Sequence, residues 1–310
     1  MDILLSQPRG FCAGVTRAIE IVELALERYG APVYVFHEIV HNQHVVNDLR
    51  ERGAVFVDQL QDIPAGAITV FSAHGVSRAV INEAAQRQLE AIDATCPLVT
   101  KVHRQAQRFA RQGYRLIMIG HAGHEEVIGT MGSVSVPMAL VSEVKDVAQL
   151  DFQPSEALAY VTQTTLSLDD TRDVIAALQA RFPHIEGPAV DDICYATQNR
   201  QTAVRTMAPQ VDLVLVVGAR NSSNSNRLRE VAQRDGTPAY LVQDEHEINP
   251  GWLHGVKRVG ISSGASTPEV LVQAVIRFLN AMHPGEVVQL PGIEEHVMFK
   301  IPAALAPVPA

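Results

Sequence analysis

The sequence predicts an α/β fold with mostly parallel sheets. Three observations lead there. Short apolar runs recur along the chain, each run closes on small polar residues, and helical periodicity follows several of them. The run 33–36 leads into His41 and the polar stretch after it, 68–72 into Ala73-His74-Gly75, and 116–120 into His121-Ala122-Gly123-His124-Glu125-Glu126. Further on, 158–161 leads into Thr162-Gln163-Thr164-Thr165, 211–217 into Asn221-Ser222-Ser223-Asn224-Ser225-Asn226, and 259–262 into Ser263-Gly264-Ala265-Ser266. Apolar residues at three- and four-residue steps predict helices over 174–181, 227–234 and 268–282. In parallel α/β folds ligands bind beyond the carboxyl ends of strands, so these His, Ser, Thr and Asn clusters are expected on a common rim.

Composition narrows the function classes. The 310 residues are 47% hydrophobic and 19% charged, enough to bury a large core in two or three domains. A formal net charge of −9 disfavours a nucleic-acid groove or an anionic membrane surface as partner. The longest apolar run, near 213–217, is far short of the roughly 20 residues of a membrane span. Met1-Asp2-Ile3-Leu4-Leu5 soon meets Pro8-Arg9, which is unlike a signal peptide, and cytoplasmic residence is expected. Thiols are reduced in that compartment.

There are three cysteines, separated by 84 and 98 residues: Cys12 in Phe11-Cys12-Ala13, Cys96 in Thr95-Cys96-Pro97, and Cys194 in Ile193-Cys194-Tyr195. Each opens an expected helix, whose N-terminus favours the thiolate that ligates metals. An odd count argues against a disulfide framework, and the lack of a Cys-x-x-Cys pair argues against the usual structural zinc site. Two readings stay open on spacing: three ligands around a metal with one open position, or three separate buried thiols.

The polar loops suit phosphate. Residues 221–226 precede an amphipathic helix whose free N–H groups form an anion site. Ser266 stands similarly before 268–282, although Ser266-x-x-Glu269 also reads as a capping box that needs no ligand. His41, His74 and His124 could complete an anion clamp or serve as structural histidines. Arg220 is the only cationic Lys or Arg within these loops, so neutral donors and protonated His carry that expectation. Glu126, beside Glu125, is the natural acid; Thr164 and Thr165 could relay a proton or cap the next helix.

Seven ordered motifs then carry a resemblance. They are Pro-Arg-Gly-Phe-Cys-Ala-Gly at 8–14, Ser-Ala-His-Gly-Val-Ser at 72–77, Asp-Ala-Thr-Cys-Pro-Leu-Val-Thr-Lys at 93–101, Gly-Thr-Met-Gly at 129–132, Thr-Gln-Thr-Thr-Leu-Ser at 162–167, Asp-Ile-Cys-Tyr-Ala-Thr at 192–197, and 221–228. Almost end to end, the chain resembles the 4-hydroxy-3-methylbut-2-enyl diphosphate reductases of the non-mevalonate isoprenoid route. The resemblance implies a trefoil of three similar α/β domains around a central 4Fe-4S cluster held by Cys12, Cys96 and Cys194, with one iron open. It implies that His41, His74, Ser222, Ser223, Asn224 and Ser266 hold a diphosphate, that His124 and Thr164 line the pocket, and that Glu126 supplies protons. The implied products are isopentenyl and dimethylallyl diphosphate, with ferredoxin or flavodoxin as electron donor. Domains are expected over 1–95, 96–193 and 194–282, with a tail over 283–310 whose Pro/Ala-rich end is loosely held.

The chain departs from the family pattern at four places: Glu125 where proline is frequent, Ile128 where an acid is common, Thr16 for aspartate and Ser263 for alanine. A carboxylate at 125 bears on the protonation of Glu126. Two other classes fit parts of the pattern. A zinc-dependent phosphate-ester enzyme would also use three ligands and an open position. A non-enzymatic iron-sulfur sensor or electron carrier would explain the cysteines but leave the Ser/His/Asn loops without a role.

Overall fold

The apolar runs fold as parallel strands in three sheets. This computed structural model describes residues 1–306. In chain order the first strands are β1 (Asp2–Leu5), β2 (Val33–Phe36), β3 (Ala54–Val57), β4 (Ile68–Phe71) and β5 (Glu90–Asp93). There follow β6 (Arg115–Ile119), β7 (Met138–Val141), β8 (Leu158–Thr162), β9 (Leu213–Val217), β10 (Ala239–Val242), β11 (Arg258–Ser263) and β12 (Val287–Gln289). The sheet orders are β3-β2-β4-β5, β7-β6-β8 and β10-β9-β11-β1-β12, and the neighbours run parallel. Parallel neighbours need crossover connections, and helices supply most of them. These are α1 (Ala13–Tyr29), α2 (Gln43–Glu51), α3 (Arg78–Gln86), α4 (Pro97–Arg111), α5 (Glu125–Met131), α6 (Val144–Val147), α7 (Leu168–Arg181), α8 (Tyr195–Met207), α9 (Ser223–Arg234) and α10 (Glu269–Met282).

The chain divides into two units. The first comprises residues 1–13, 41–45 and 195–298, and contains the five-stranded sheet. Its strand β9 is apolar at every position because both faces are covered. Leu213, Leu215 and Val217 face the core that α10 closes with Val272, Val275, Ile276 and Leu279. Val214 and Val216 face the other, closed by Val204 and Met207 of α8 and Leu228, Val231 and Ala232 of α9. A side chain of this kind, fully buried, contributes about 1.5–3 kcal/mol.

The second unit comprises residues 14–40, 46–194 and the segment from Phe299, and contains the other two sheets. Strand β6 repeats the two-faced pattern. Ile117 and Ile119 pack with Val174 and Leu178 of α7, while Leu116 and Met118 pack with Val102, Ala106 and Phe109 of α4. A smaller core of Phe36, Phe71, Leu60, Ile63, Ala84 and Leu89 lies under the four-stranded sheet.

Two strands lie outside the modules in which the chain order places them. β1 falls within 1–95 but pairs with β11, Ile3 opposite Val259, because its buried apolar face completes the core of the C-terminal sheet. β12 lies inside the segment expected as a tail and adds beside β1, Leu4 opposite Val288. The Pro/Ala-rich end is only partly outside the described residues. Leu305 within it is buried, and positions 307–310 lie beyond those described.

Candidate active site

In the first unit, the loops after β1, β9 and β11 meet. Ser222, at the N-cap of α9, accepts from the Ser225 N–H at 3.5 Å, from the Ser225 hydroxyl at 3.1 Å and from Asn224 Nδ2 at 2.8 Å. Asn224 Oδ1 in turn accepts from the Ala265 N–H at 2.7 Å. Ser266 donates to the His41 carbonyl at 3.0 Å, and the His41 ring lies 3.4 Å from Asn221 Nδ2. His41, Ser222, Asn224 and Ser266 are thus brought together, with Ser223 opening α9 beside them. The helix end adds a positive partial charge, an arrangement suited to an anion. The capping-box reading of Ser266 does not hold: the N-cap of α10 is Pro268, and the Ser266 hydroxyl meets the His41 carbonyl rather than the helix start. Arg220 turns away to Glu247 at 3.1 Å.

In the second unit, His74, His124, Glu126 and Thr164 come together. Glu126 is 2% exposed; its Oε1 accepts from the Thr164 N–H at 2.6 Å and its Oε2 from the Thr164 hydroxyl at 3.1 Å. Thr164 does not cap the next helix, because Ser167 occupies that position. His124 is the N-cap of α5, with Nδ1 accepting from the Glu126 N–H at 3.1 Å, which leaves Nε2 as its donor. The His74 and His124 rings meet edge to face at 5.9 Å.

The glycines of the 129–132 motif explain how α5 is placed over the His74 loop. A Cβ on Gly129 would lie 2.8 Å from the Gly75 carbonyl oxygen, and one on Gly132 would lie 2.3 Å from Ser77 Cβ. Gly75 has φ +78°, and a Cβ there would lie 3.0 Å from the His103 ring. Burial pushes the His103 pKa down to about 4.

Each cysteine is tied by its backbone N–H to one of these loops. Cys12, in the first unit, donates to Ala265 O at 3.2 Å, next to Ser266. Cys96 and Cys194, in the second unit, donate to Ala73 O at 2.9 Å, next to His74, and to Thr164 O at 3.0 Å. None of the three cysteines is in a disulfide, and all three are partly exposed; Cys96 is the N-cap of α4, and Cys12 and Cys194 immediately precede α1 and α8. Partly exposed thiols at helix starts, with no disulfide among them, fit the soft donor set of an iron-sulfur cluster.

Several further residues support the site. Arg200, 1% exposed, donates to Gly10 O at 2.8 and 3.2 Å, to Phe11 O at 3.4 Å and to Ala196 O at 2.9 Å, and pairs with Glu295 at 3.0 Å. It holds the loop that presents Cys12. Arg17 donates to Thr95 O at 3.1 Å, just before Cys96; burial lowers its pKa, opposed by Asp93 and Cys96. Asp192 accepts from the Thr162 N–H at 3.1 Å while Lys101 holds the carbonyls of Val190 and Asp191, and burial pushes the Asp192 pKa up to about 6. Gly218 and Gly264 leave room for Ser225, since a Cβ on either would come within 2.3 or 2.1 Å of its hydroxyl oxygen.

Fold and loops define an α/β protein that handles a small polar molecule at the carboxyl ends of its strands. The family model described as LytB protein matches residues 3–280. The chain is 60% identical over 304 residues to 4-hydroxy-3-methylbut-2-enyl diphosphate reductase 1 of Rhodopseudomonas palustris, covering 98% of this chain and 99% of that one. It is 58% identical over 308 residues to the 4-hydroxy-3-methylbut-2-enyl diphosphate reductase of Mannheimia succiniciproducens, covering 98% of each. Among solved structures, the E-1-hydroxy-2-methyl-but-2-enyl-4-diphosphate reductase of Plasmodium falciparum matches with a TM-score of 0.95 at 41% identity, over 98% of this chain and 96% of that one. The chain belongs to the LytB family.

Proposed function

We propose that this chain reduces (E)-4-hydroxy-3-methylbut-2-enyl diphosphate to isopentenyl and dimethylallyl diphosphate, the last step of the non-mevalonate route. The end-to-end likeness to the Rhodopseudomonas reductase carries this reading. The reaction takes two electrons and two protons, and the allylic hydroxyl leaves as water. Cys12, Cys96 and Cys194 would hold a 4Fe-4S cluster with one iron free of cysteine. When bound, that cluster supplies electrons and Lewis acidity. What supports its placement beside substrate is the threefold pattern of backbone bonds, in which each cysteine N–H reaches Thr164 or the residue preceding Ser266 or His74.

The chain's own groups do the rest. His41, Ser222, Ser223, Asn224 and Ser266 hold the diphosphate with oriented donors, and His74 adds an imidazole donor. Glu126 is the proton source. The Thr164 hydroxyl at 3.1 Å orients its carboxyl group and can pass a proton onward. His124 fixes the start of α5, and so the backbone at Glu126. Electrons come from a ferredoxin or flavodoxin, the chain is organised as three α/β modules, and the setting is cytoplasmic. Among the described residues no helix is long and apolar enough to cross a membrane.

The test is anaerobic purification with iron and sulfide counts, and electron paramagnetic resonance before and after addition of the allylic diphosphate. A cubane-type signal that changes on addition, together with formation of both products, supports the reading. A colourless protein with stoichiometric zinc would replace it with a phosphate-ester enzyme. A cluster indifferent to the diphosphate would replace it with a sensor or electron carrier.

A further inference from the structure

Adjacent carboxylates open α5, and they do different things. Successive helical residues point about 100° apart. Glu126 accordingly turns inward to Thr164, whereas Glu125 reaches the His74 ring, its Oε2 lying 2.8 Å from Nδ1. Its Oε1 lies 4.0 Å from Nδ1 of His37, a residue held at φ +62° and 3.6 Å from Asp58. The Ser72 hydroxyl is 3.3 Å from the same His74 nitrogen, and His124 meets the ring edge to face.

We propose that Glu125 is a positioning residue for the diphosphate site, binding His74 through Nδ1 so that the ring is fixed in orientation and presents Nε2–H to a phosphate oxygen. The inference rests on the reading of His74 as a diphosphate ligand. A histidine has two ring nitrogens and can flip or change tautomer. With Nδ1–H given to a carboxylate, a neutral ring would face the phosphate with a lone pair. The ring carrying both protons faces it with a charge-assisted donor, and an adjacent carboxylate favours that form. The 72–77 loop is pinned beneath α5 by close contact at Gly129 and Gly132, so the pair starts from a rigid frame.

A double-mutant cycle on the anaerobically purified, cluster-loaded protein tests this, with inorganic diphosphate as the titrant in calorimetry. Glu125→Gln keeps the shape and removes the charge. It should weaken binding by about five- to tenfold, and KM for the allylic diphosphate should rise more than kcat falls. His74→Asn should weaken binding at least as much, and adding Glu125→Gln to it should change nothing further. Equal weakening by Glu125→Gln in both backgrounds, or tighter binding in the His74 background, would overturn the inference. If His74→Asn weakens binding and Glu125→Gln alone does not, Glu125 loses its role and His74 keeps its own. If His74→Asn leaves binding untouched, His74 is no phosphate ligand and the inference goes with it.

Discussion

His103 is a neutral histidine packed under the His74 loop, and acid should act on the fold through it. Burial lowers its pKa from 6.5 to about 4, and its Nε2 is buried without a hydrogen-bond partner. An unfolded chain takes up the proton near pH 6.5, whereas the folded one resists until near pH 4. Stability tied to this group is therefore present above pH 6.5 and is lost as pH falls through that window. The full depression corresponds to roughly 3 kcal/mol, and lowering pH from 7 to 5 exposes about 2 kcal/mol of it. The measurement is denaturant unfolding followed by circular dichroism at pH 7 and pH 5, for the parent chain and for His103→Gln. The parent should lose about 2 kcal/mol more than the variant between the two pH values. Equal losses in both proteins would mean that His103 titrates normally in the fold and that the burial argument fails.

Other substitutions separate the roles assigned to the site. Glu126→Gln should lower turnover by a factor on the order of 100 or more, as expected for a lost general acid, while iron and sulfide counts stay at parent level; parent-like turnover would remove Glu126 from proton delivery. Cys194→Ser should lose iron on purification, and a fully loaded, active variant would refute the ligand assignment. In Gly264→Ala the new Cβ would fall 2.1 Å from Ser225 Oγ and 3.0 Å from Asn224 Oδ1, so inorganic diphosphate should bind more than about tenfold more weakly if those groups form the anion site. Arg200→Met leaves the Glu295 carboxylate, 13% exposed, without its cation and with the neutral Asn199 amide as a donor, and denaturant unfolding should show a loss of about 3 kcal/mol.

The strand-and-polar-loop rhythm was legible because parallel strands buried on two faces become continuous apolar runs, as in β6 and β9. Helix starts were less so. α7 begins at Leu168 and α9 at Ser223, earlier than the apolar periodicity indicates, because their first turns are polar and are set by the caps Ser167 and Ser222. The polar clusters around Ser222 and Glu126 could be found because short-range motifs encode them. Arg200, Arg17 and Glu295 could not, since each acts on a residue distant in sequence and a lone charge carries no local pattern. The fate of Glu125 was also hidden: adjacency in sequence suggested an effect on the protonation of Glu126, and helical geometry sent the two carboxylates to different partners.

The placement of β1 between β11 and β12 has a consequence for synthesis. β1 is synthesised long before β11 and β12, so it cannot gain either neighbour, and the five-stranded sheet cannot close, until both of those strands have been made. Until then Ile3, Leu4 and Leu5 remain an unpaired apolar edge, the kind of segment that chaperones hold and that recruits other nascent chains. The loop that carries Cys12 follows β1 directly and is held by Arg200, so this cysteine reaches its native setting only after α8 has folded. A stalled or shortened product would thus carry Cys12 on an unanchored segment, and a cluster that Cys12 helps to hold would be loaded late.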